Sequence, residues 1–116
     1  MLVRTVLGDI PSQEMGHTQC HEHIFLEKGP SYDANPSLCM NDLPRSLEEL
    51  REYYSSGGRT IVDAQPVFCG RNAGALLELS QKSKVNIVAV TGFHKRMFME
   101  NDAPYWESSE EKIADL

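Results

Sequence analysis

His21 and His23, separated by Glu22, are the residues whose types and spacing best suit chemistry. On an extended backbone side chains alternate between faces. The two imidazoles then share one face, about 7 Å apart along the strand, and Glu22 points away. Imidazoles so placed can converge on one divalent ion of the zinc class, at about 2.0–2.1 Å each. A catalytic zinc takes three protein ligands and keeps one position open, so the pair needs partners from elsewhere. A bare His-x-His is as readily a pair of solvated or core histidines, and context has to separate the two. Glu22 is expected in a structural role, bonded to a backbone group or to a cation behind the strand. His17 is expected at the surface or on a hairpin.

A second candidate is His94-Lys95, where a strand gives way to a loop. In a barrel-type sheet this position faces the same mouth as His23, and a lysine there can hold an anionic group. A solvated loop lysine is the plain alternative. Asp63, inside a strand, is expected to be buried and to need a partner. Cys20 and Cys69 are expected as small buried apolar residues. Phe98, Tyr105 and Trp106 either cover a pocket or pack on the wall.

The elements that must position these residues follow from periodicity and turn chemistry. Leu2 to Leu7 reads as a short strand and Gly8-Asp9 as a turn, giving a small N-terminal hairpin. Gly16 to Ile24 is the histidine strand. Glu27 to Pro44 reads as a long loop, punctuated by Gly29-Pro30, Asn35-Pro36 and Leu43-Pro44. Ser46-x-x-Glu49 is a capping box opening a helix to Ser55, with Leu47, Leu50 and Tyr54 on one face and Gly57-Gly58 as the stop. Arg59 to Ala64 is a second strand, β-branched at its centre. Gln65 to Arg71 is the loop leaving it, and Gly70-Arg71-Asn72 sets the turn into the next helix. Asn72 caps that helix, which carries Leu76, Leu77 and Ser80. Val85 to Val90 is nearly all apolar, a strand expected to be buried on both faces. After a loop holding Met97, Met99 and Pro104, Ser108-x-x-Glu111 is a further capping box, for a helix through Ile113 and Leu116. Strand–helix alternation of this kind implies right-handed βαβ units on a parallel sheet.

Bulk properties exclude several classes. The chain has 116 residues, 41% hydrophobic and 24% charged, as expected for one globular domain. A net charge of −6 without a basic run argues against nucleic acid or an anionic membrane as partner. No apolar run approaches the length of a membrane span, and the N-terminus lacks a signal-peptide pattern. Cys20, Cys39 and Cys69 are odd in number, irregularly spaced and free of C-x-x-C pairs. A disulfide framework and a closed cysteine zinc site are therefore unsupported, and a reducing cytoplasm is the expected compartment.

Three blocks of residues carry a family resemblance. Thr5-Val6-Leu7-Gly8-Asp9-Ile10 leads into Gly16-His17-Thr18 and His21-Glu22-His23-Ile24. Gly58-Arg59-Thr60-Ile61-Val62-Asp63 follows, with Gly70-Arg71 behind it, and then Asn86-Ile87-Val88-Ala89-Val90-Thr91-Gly92. Together they cover essentially the whole chain, and they resemble the opening of the phosphotriesterase family, in the metal-dependent amidohydrolase superfamily. The resemblance implies a (β/α)₈ barrel with a binuclear metal centre, usually zinc, at its C-terminal mouth. It implies that His21 and His23 are the first-strand metal ligands, and that a metal-activated hydroxide attacks a phosphotriester, lactone or carboxyl ester. It places His94 where members line the substrate pocket with a large side chain; Lys95 beside it is the candidate for an anionic group of the substrate. Phe93-His94-Lys95 is more similar to members acting on sugar lactones, some of them phosphorylated, than to the organophosphate-degrading type.

The departure from the family is one of length. A barrel of this kind runs to roughly 250 residues, with roughly 200 as a lower bound. The expected fold is α/β, the N-terminal βαβαβ portion of such a barrel behind a small hairpin, with residues 1–116 as one partial domain. The family's remaining ligands, a bridging lysine, two histidines and an aspartate, lie on later strands. Lys82, Lys84 and Lys95 come too early to be that lysine, so no catalytic residue is identifiable within the chain. A three-stranded sheet leaves an apolar edge and an open face, which predicts association with further chain or with a second copy. Three readings stay open: part of a metal-dependent hydrolase for small-molecule esters, an inactive product that binds metal weakly, and a subunit completed by another chain.

Overall fold

A computed structural model describes residues 1–99 and 106–115. Strands β1 (Leu2–Thr5) and β2 (Gly8–Pro11) form an antiparallel hairpin. Its turn is Val6-Leu7, not Gly8-Asp9. Thr5 closes it, its Oγ1 donating to the Gly8 carbonyl at 2.7 Å and accepting the Leu7 N–H at 3.2 Å. The short threonine side chain mimics a backbone turn, and Gly8 becomes the first residue of the return strand.

Three parallel strands follow: β3 (His17–Glu22), β4 (Gly58–Asp63) and β5 (Asn86–Ala89), in the order β3-β4-β5. Helix α2 (Leu43–Ser55) joins the first two, and α3 (Ala73–Ser83) joins the second and third. The expected βαβαβ unit is present. The stretch from Glu27 to Pro44 is more ordered than a loop. It contains the short helix α1 (Pro30–Ala34) and a 3₁₀ turn at Pro36–Leu38, with Pro30 and Pro36 at first-turn positions where a missing N–H costs nothing.

The same principle moves the start of α2. Pro44 lies in its first turn, and Asp42 caps it by accepting the Arg45 N–H at 3.1 Å. Ser46 is not the cap; its Oγ donates to the Ile24 carbonyl at 2.9 Å and ties the helix to the chain leaving β3. Asn72 caps α3 as expected, accepting from the Ala75 N–H at 2.9 Å. Helix α4 (Glu110–Ala114) is capped by Ser109, one residue after the expected cap. Pro104, Tyr105 and Leu116 lie outside the described residues.

The core lies between the sheet and its two helices. Ile61 and Ile87, paired across β4 and β5, pack with Leu50, Leu76, Leu79 and Val85. Tyr53 locks α2 onto the sheet. Its ring occupies the space beside Gly58, where a Cβ would come within 2.3 Å of it. Its hydroxyl accepts the Gln19 N–H at 3.1 Å and faces the carbonyls of His17 and Thr60, each at 3.0 Å. Beneath the sheet the hairpin turn docks through Val6 N–H to the Ile87 carbonyl at 2.9 Å.

Among the described residues, helices pack on only one face of the sheet. Val62 and Val88, which alternate with Ile61 and Ile87 and so project from the other face, are half-buried. The expectation that the third strand is buried on both faces is therefore overturned: its second face meets no layer among the described residues. Cys20 is corrected on the same grounds. It sits on β3, which pairs with β4 alone and is exposed at five of its six positions, and it is exposed rather than buried. Cys69 is buried as expected.

Candidate functional site

The C-terminal ends of β3, β4 and β5 bring the candidate residues to one end of the sheet. Pairing continues past the strands, with Ala64 N–H donating to the Glu22 carbonyl at 2.7 Å and Val90 N–H to the Asp63 carbonyl at 3.3 Å. The β3–β4 register is irregular between Gln19 and Glu22, so the histidines do not lie on an ideal strand. They nevertheless come together. The rings of His21 and His23 are 5.7 Å apart, edge to face, and both residues are exposed. Glu22 points elsewhere: its Oε1 accepts from Gln19 Nε2 at 2.9 Å, a neutral amide rather than the expected backbone group or cation. His17 is exposed, its ring 6.3 Å from that of Tyr53.

His23 has a partner that residue types alone did not suggest. Its Nδ1 is 2.9 Å from Oε1 of Gln65, a buried residue in the loop leaving β4. The other end of that amide, Gln65 Nε2, donates to the Cys69 carbonyl. Cys69 is itself held on several sides. Its thiol donates to the Phe98 carbonyl at 3.0 Å and lies 3.2 Å from Ser31 Oγ. The turn around it is tightly shaped. Phe68 takes a left-handed backbone (φ 56°), which costs a non-glycine residue roughly 1–2 kcal/mol. Gly70 (φ 78°) follows, where a Cβ would stand 2.9 Å from the Glu27 carbonyl oxygen. Strain of this kind persists where the surroundings over-determine the backbone.

Asp63 is fully buried at the end of β4. Its Oδ1 accepts the Ile24 N–H at 3.1 Å, which supplies the partner its burial demands. Burial pushes its carboxyl above the usual range, opposed in decreasing order by the Ile24 N–H, the charges of His23 and Arg71, and the Gln65 N–H. The Oδ2 of Asp63 has no hydrogen-bond partner among the described residues. Arg71, assigned to a turn from sequence, does more: its Nη1 donates to the Val90 carbonyl at 2.7 Å and joins the ends of β4 and β5.

His94 and Lys95 leave the end of β5 as a local unit. The Lys95 N–H donates to His94 Nδ1 at 2.8 Å, and the His94 ring stacks edge to face on Phe98 at 4.7 Å. Partial burial lowers the His94 pKa from its ordinary value, helped by the charges of Lys95 and His23. Lys95 is exposed and makes no salt bridge with the described residues. Trp106 stands under the Arg96 guanidinium, 5.4 Å from it. A cleft of about 630 Å³ runs along the unpaired edge of β3; it reaches His23 but neither His21 nor His94, so it is a groove beside the strand and not the mouth.

The donor set fits part of a metal centre. Two imidazoles stand side by side, and the Nδ1 of one is engaged so that its Nε2 is left for coordination. Among the described residues no group of three or more His, Cys, Asp or Glu side chains is arranged to hold an ion. The fold and site thus define a class: the βαβαβ portion of a (β/α)₈ barrel, with a His-x-His pair at the C-terminal end of its first strand.

Comparison with known proteins narrows the class. The model of the phosphotriesterase family matches residues 1–116, and the chain belongs to that family. It is 43% identical over 98 residues to a phospho-furanose lactonase of Mycoplasmopsis agalactiae, a match covering 83% of this chain and 28% of that one. A crystal structure of an amidohydrolase from Mycoplasma synoviae superposes with a TM-score of 0.79 at 36% identity, over 85% of this chain and 29% of that one. A lactonase from Listeria monocytogenes superposes with a TM-score of 0.77 at 30% identity, over 84% and 30% of the two chains. The chain thus spans less than a third of the length of each of these relatives. No helix among the described residues is long and apolar enough to cross a membrane.

Proposed function

We propose that this chain carries the first-strand half of a binuclear metal site in a hydrolase that opens lactones or related small-molecule esters. The observation that supports this most is the side-by-side placement of His21 and His23 at the strand end, in a chain of the phosphotriesterase family. When bound, a divalent metal, in our reading zinc, supplies Lewis acidity and lowers the pKa of a water. His21 and His23 would hold it, His23 through Nε2. The remaining ligands would come from outside these 116 residues, either further along a longer chain or from a partner.

His94 and Lys95 are assigned to the substrate. The Lys95 N–H engages His94 Nδ1, so in the neutral ring the proton sits on Nε2. The lowered pKa keeps that ring neutral near pH 7, as a hydrogen-bond donor rather than a second cation beside a metal. Lys95, exposed and unpaired among the described residues, suits an anionic substituent such as a phosphate. Sugar lactones, including phosphorylated ones, are the substrate class this arrangement fits best, in keeping with the chain's likeness to two phospho-furanose lactonases. Three unpaired cysteines, one exposed, favour a reducing compartment such as the cytoplasm.

Zinc titration tests the reading. The chain is expected to bind zinc weakly and saturably, and the His21→Ala/His23→Ala double variant is expected to lose that binding. Equal zinc binding by both proteins would remove the metal assignment. Lactone hydrolysis by the 116 residues alone, undiminished in the double variant, would remove the need for the pair.

A further inference from the structure

We infer that Gln65 is a positioning residue that sets the tautomer of His23, keeping Nδ1 protonated and Nε2 as the free lone pair. The inference follows from which atoms can donate. A backbone carbonyl only accepts, so the end of the Gln65 amide facing the Cys69 carbonyl must be the NH₂ group. Its oxygen then faces His23, 2.9 Å from Nδ1. That oxygen also only accepts, so Nδ1 must carry the hydrogen. Reversing the amide would set oxygen against oxygen at Cys69, and a proton on His23 Nε2 alone would set two lone pairs together at Nδ1. Both alternatives leave buried polar groups unpaired, since Gln65 is only 3% exposed.

The anchor of this relay is itself held by hydrogen bonds. Cys69 is held through its thiol by Phe98 and Ser31, and its carbonyl is aimed by the Phe68–Gly70 turn. Orientation therefore passes from the turn to the amide and from the amide to the ring. Partners of this kind, bonded to the far nitrogen of a ligating histidine, fix its ring and typically change metal affinity 10–100-fold when removed. The tautomer stands on hydrogen-bond logic alone; its consequence for zinc rests on the function proposed above.

Ring ¹⁵N shifts of the zinc-free, ¹⁵N-labelled chain at pH 8 read the tautomer directly. The expected result is a protonated Nδ1 and an unprotonated Nε2 at His23. Gln65→Met keeps the length of the side chain but removes the acceptor, and should shift the ring toward the Nε2–H form. Gln65→Glu keeps an acceptor at the same reach for Nδ1, at the cost of setting oxygen against the Cys69 carbonyl, and should still hold Nδ1–H. Zinc affinity should fall about 10–100-fold in Gln65→Met and recover in part in Gln65→Glu, which keeps the Nδ1 acceptor but loses the Cys69 anchor. An Nε2–H ring in the unmodified chain, or a ring unchanged by Gln65→Met, overturns the inference. Equal zinc affinity in the unmodified and Gln65→Met chains, with the tautomer shifted, overturns the positioning role. If the unmodified chain binds no zinc but its ring follows the variants, the tautomer assignment holds and the metal reading fails. Should Gln65→Met not fold, the unmodified chain and Gln65→Glu still decide the tautomer.

Discussion

The two ends of the parallel sheet are built differently. At the N-terminal end, hydrogen-bonding groups are paired, even where His17 and Gln19 are exposed. The Tyr53 hydroxyl gathers Gln19, His17 and Thr60, Thr60 Oγ1 donates to the Met15 carbonyl at 2.6 Å, and the hairpin seals the end of β5. At the C-terminal end the groups are exposed or incompletely paired. His21 and His23 are open, Asp63 keeps one oxygen without a partner among the described residues, and Phe68 sits in a strained turn. One end holds the fold, and the other keeps polar groups available. This is the division seen in (β/α)₈ barrels, where residues at the bottom serve stability and those at the top serve chemistry.

The comparison breaks if the mouth contributes more to stability than the core beneath it. Leu79 is completely buried between α3 and the sheet. Leu79→Ala should lower stability by about 2–5 kcal/mol, read from the urea midpoint, because both the transfer term and the cavity term apply. It should leave the ring tautomer of His23 unchanged in the folded fraction. A smaller effect is expected from Tyr53→Phe, which keeps the ring against Gly58 and removes only the hydroxyl. The Gln19 N–H and one of the two facing carbonyls then lose a partner, at about 1–3 kcal/mol. A Tyr53→Phe protein as stable as the parent would mean that water replaces the hydroxyl and that the N-terminal end is less closed than its hydrogen bonds indicate.

The same division governs how much could be read from sequence. Elements set by local chemistry were legible: Asn72 capping α3, β-branched β4, and the glycines ending α2. The start of α2 was not, because Pro44 reads equally as a loop breaker and as a first-turn residue, and only the Asp42 side chain on Arg45 N–H separates them. Cys20 and the β5 strand were misjudged for a tertiary reason, since burial on a sheet depends on which neighbours and layers are present. At the mouth, the histidine pair was visible because its spacing is short. Gln65 was not, because a lone glutamine in a loop has no periodicity. The one available hint was its place two residues beyond Asp63, just past a strand end, where functional groups gather in parallel α/β sheets.

The smallest expected effect comes from Asp63 and concerns the pH dependence of stability. Its folded pKa lies above the ordinary 3.8, chiefly through burial. Between 3.8 and that raised value the folded chain holds more protons at Asp63 than the unfolded chain does. The stability contributed by the protonated carboxyl is therefore complete below 3.8 and is lost as pH rises through the folded value. Other groups act oppositely. Asp9 and Glu111 have lowered pKa values, so their contributions are lost as pH falls, and the lowered His94 also favours the folded chain at higher pH. Total stability against pH therefore mixes both signs, and the difference between the parent and Asp63→Asn isolates one. Asparagine retains an oxygen to accept the Ile24 N–H and cannot ionise. Relative to the parent, Asp63→Asn should gain stability progressively as pH rises above 3.8, then level off once Asp63 is ionised in both states. Parallel curves across that window would show that Asp63 titrates alike in the folded and unfolded chains, and that the open oxygen finds water or chain that compensates for burial.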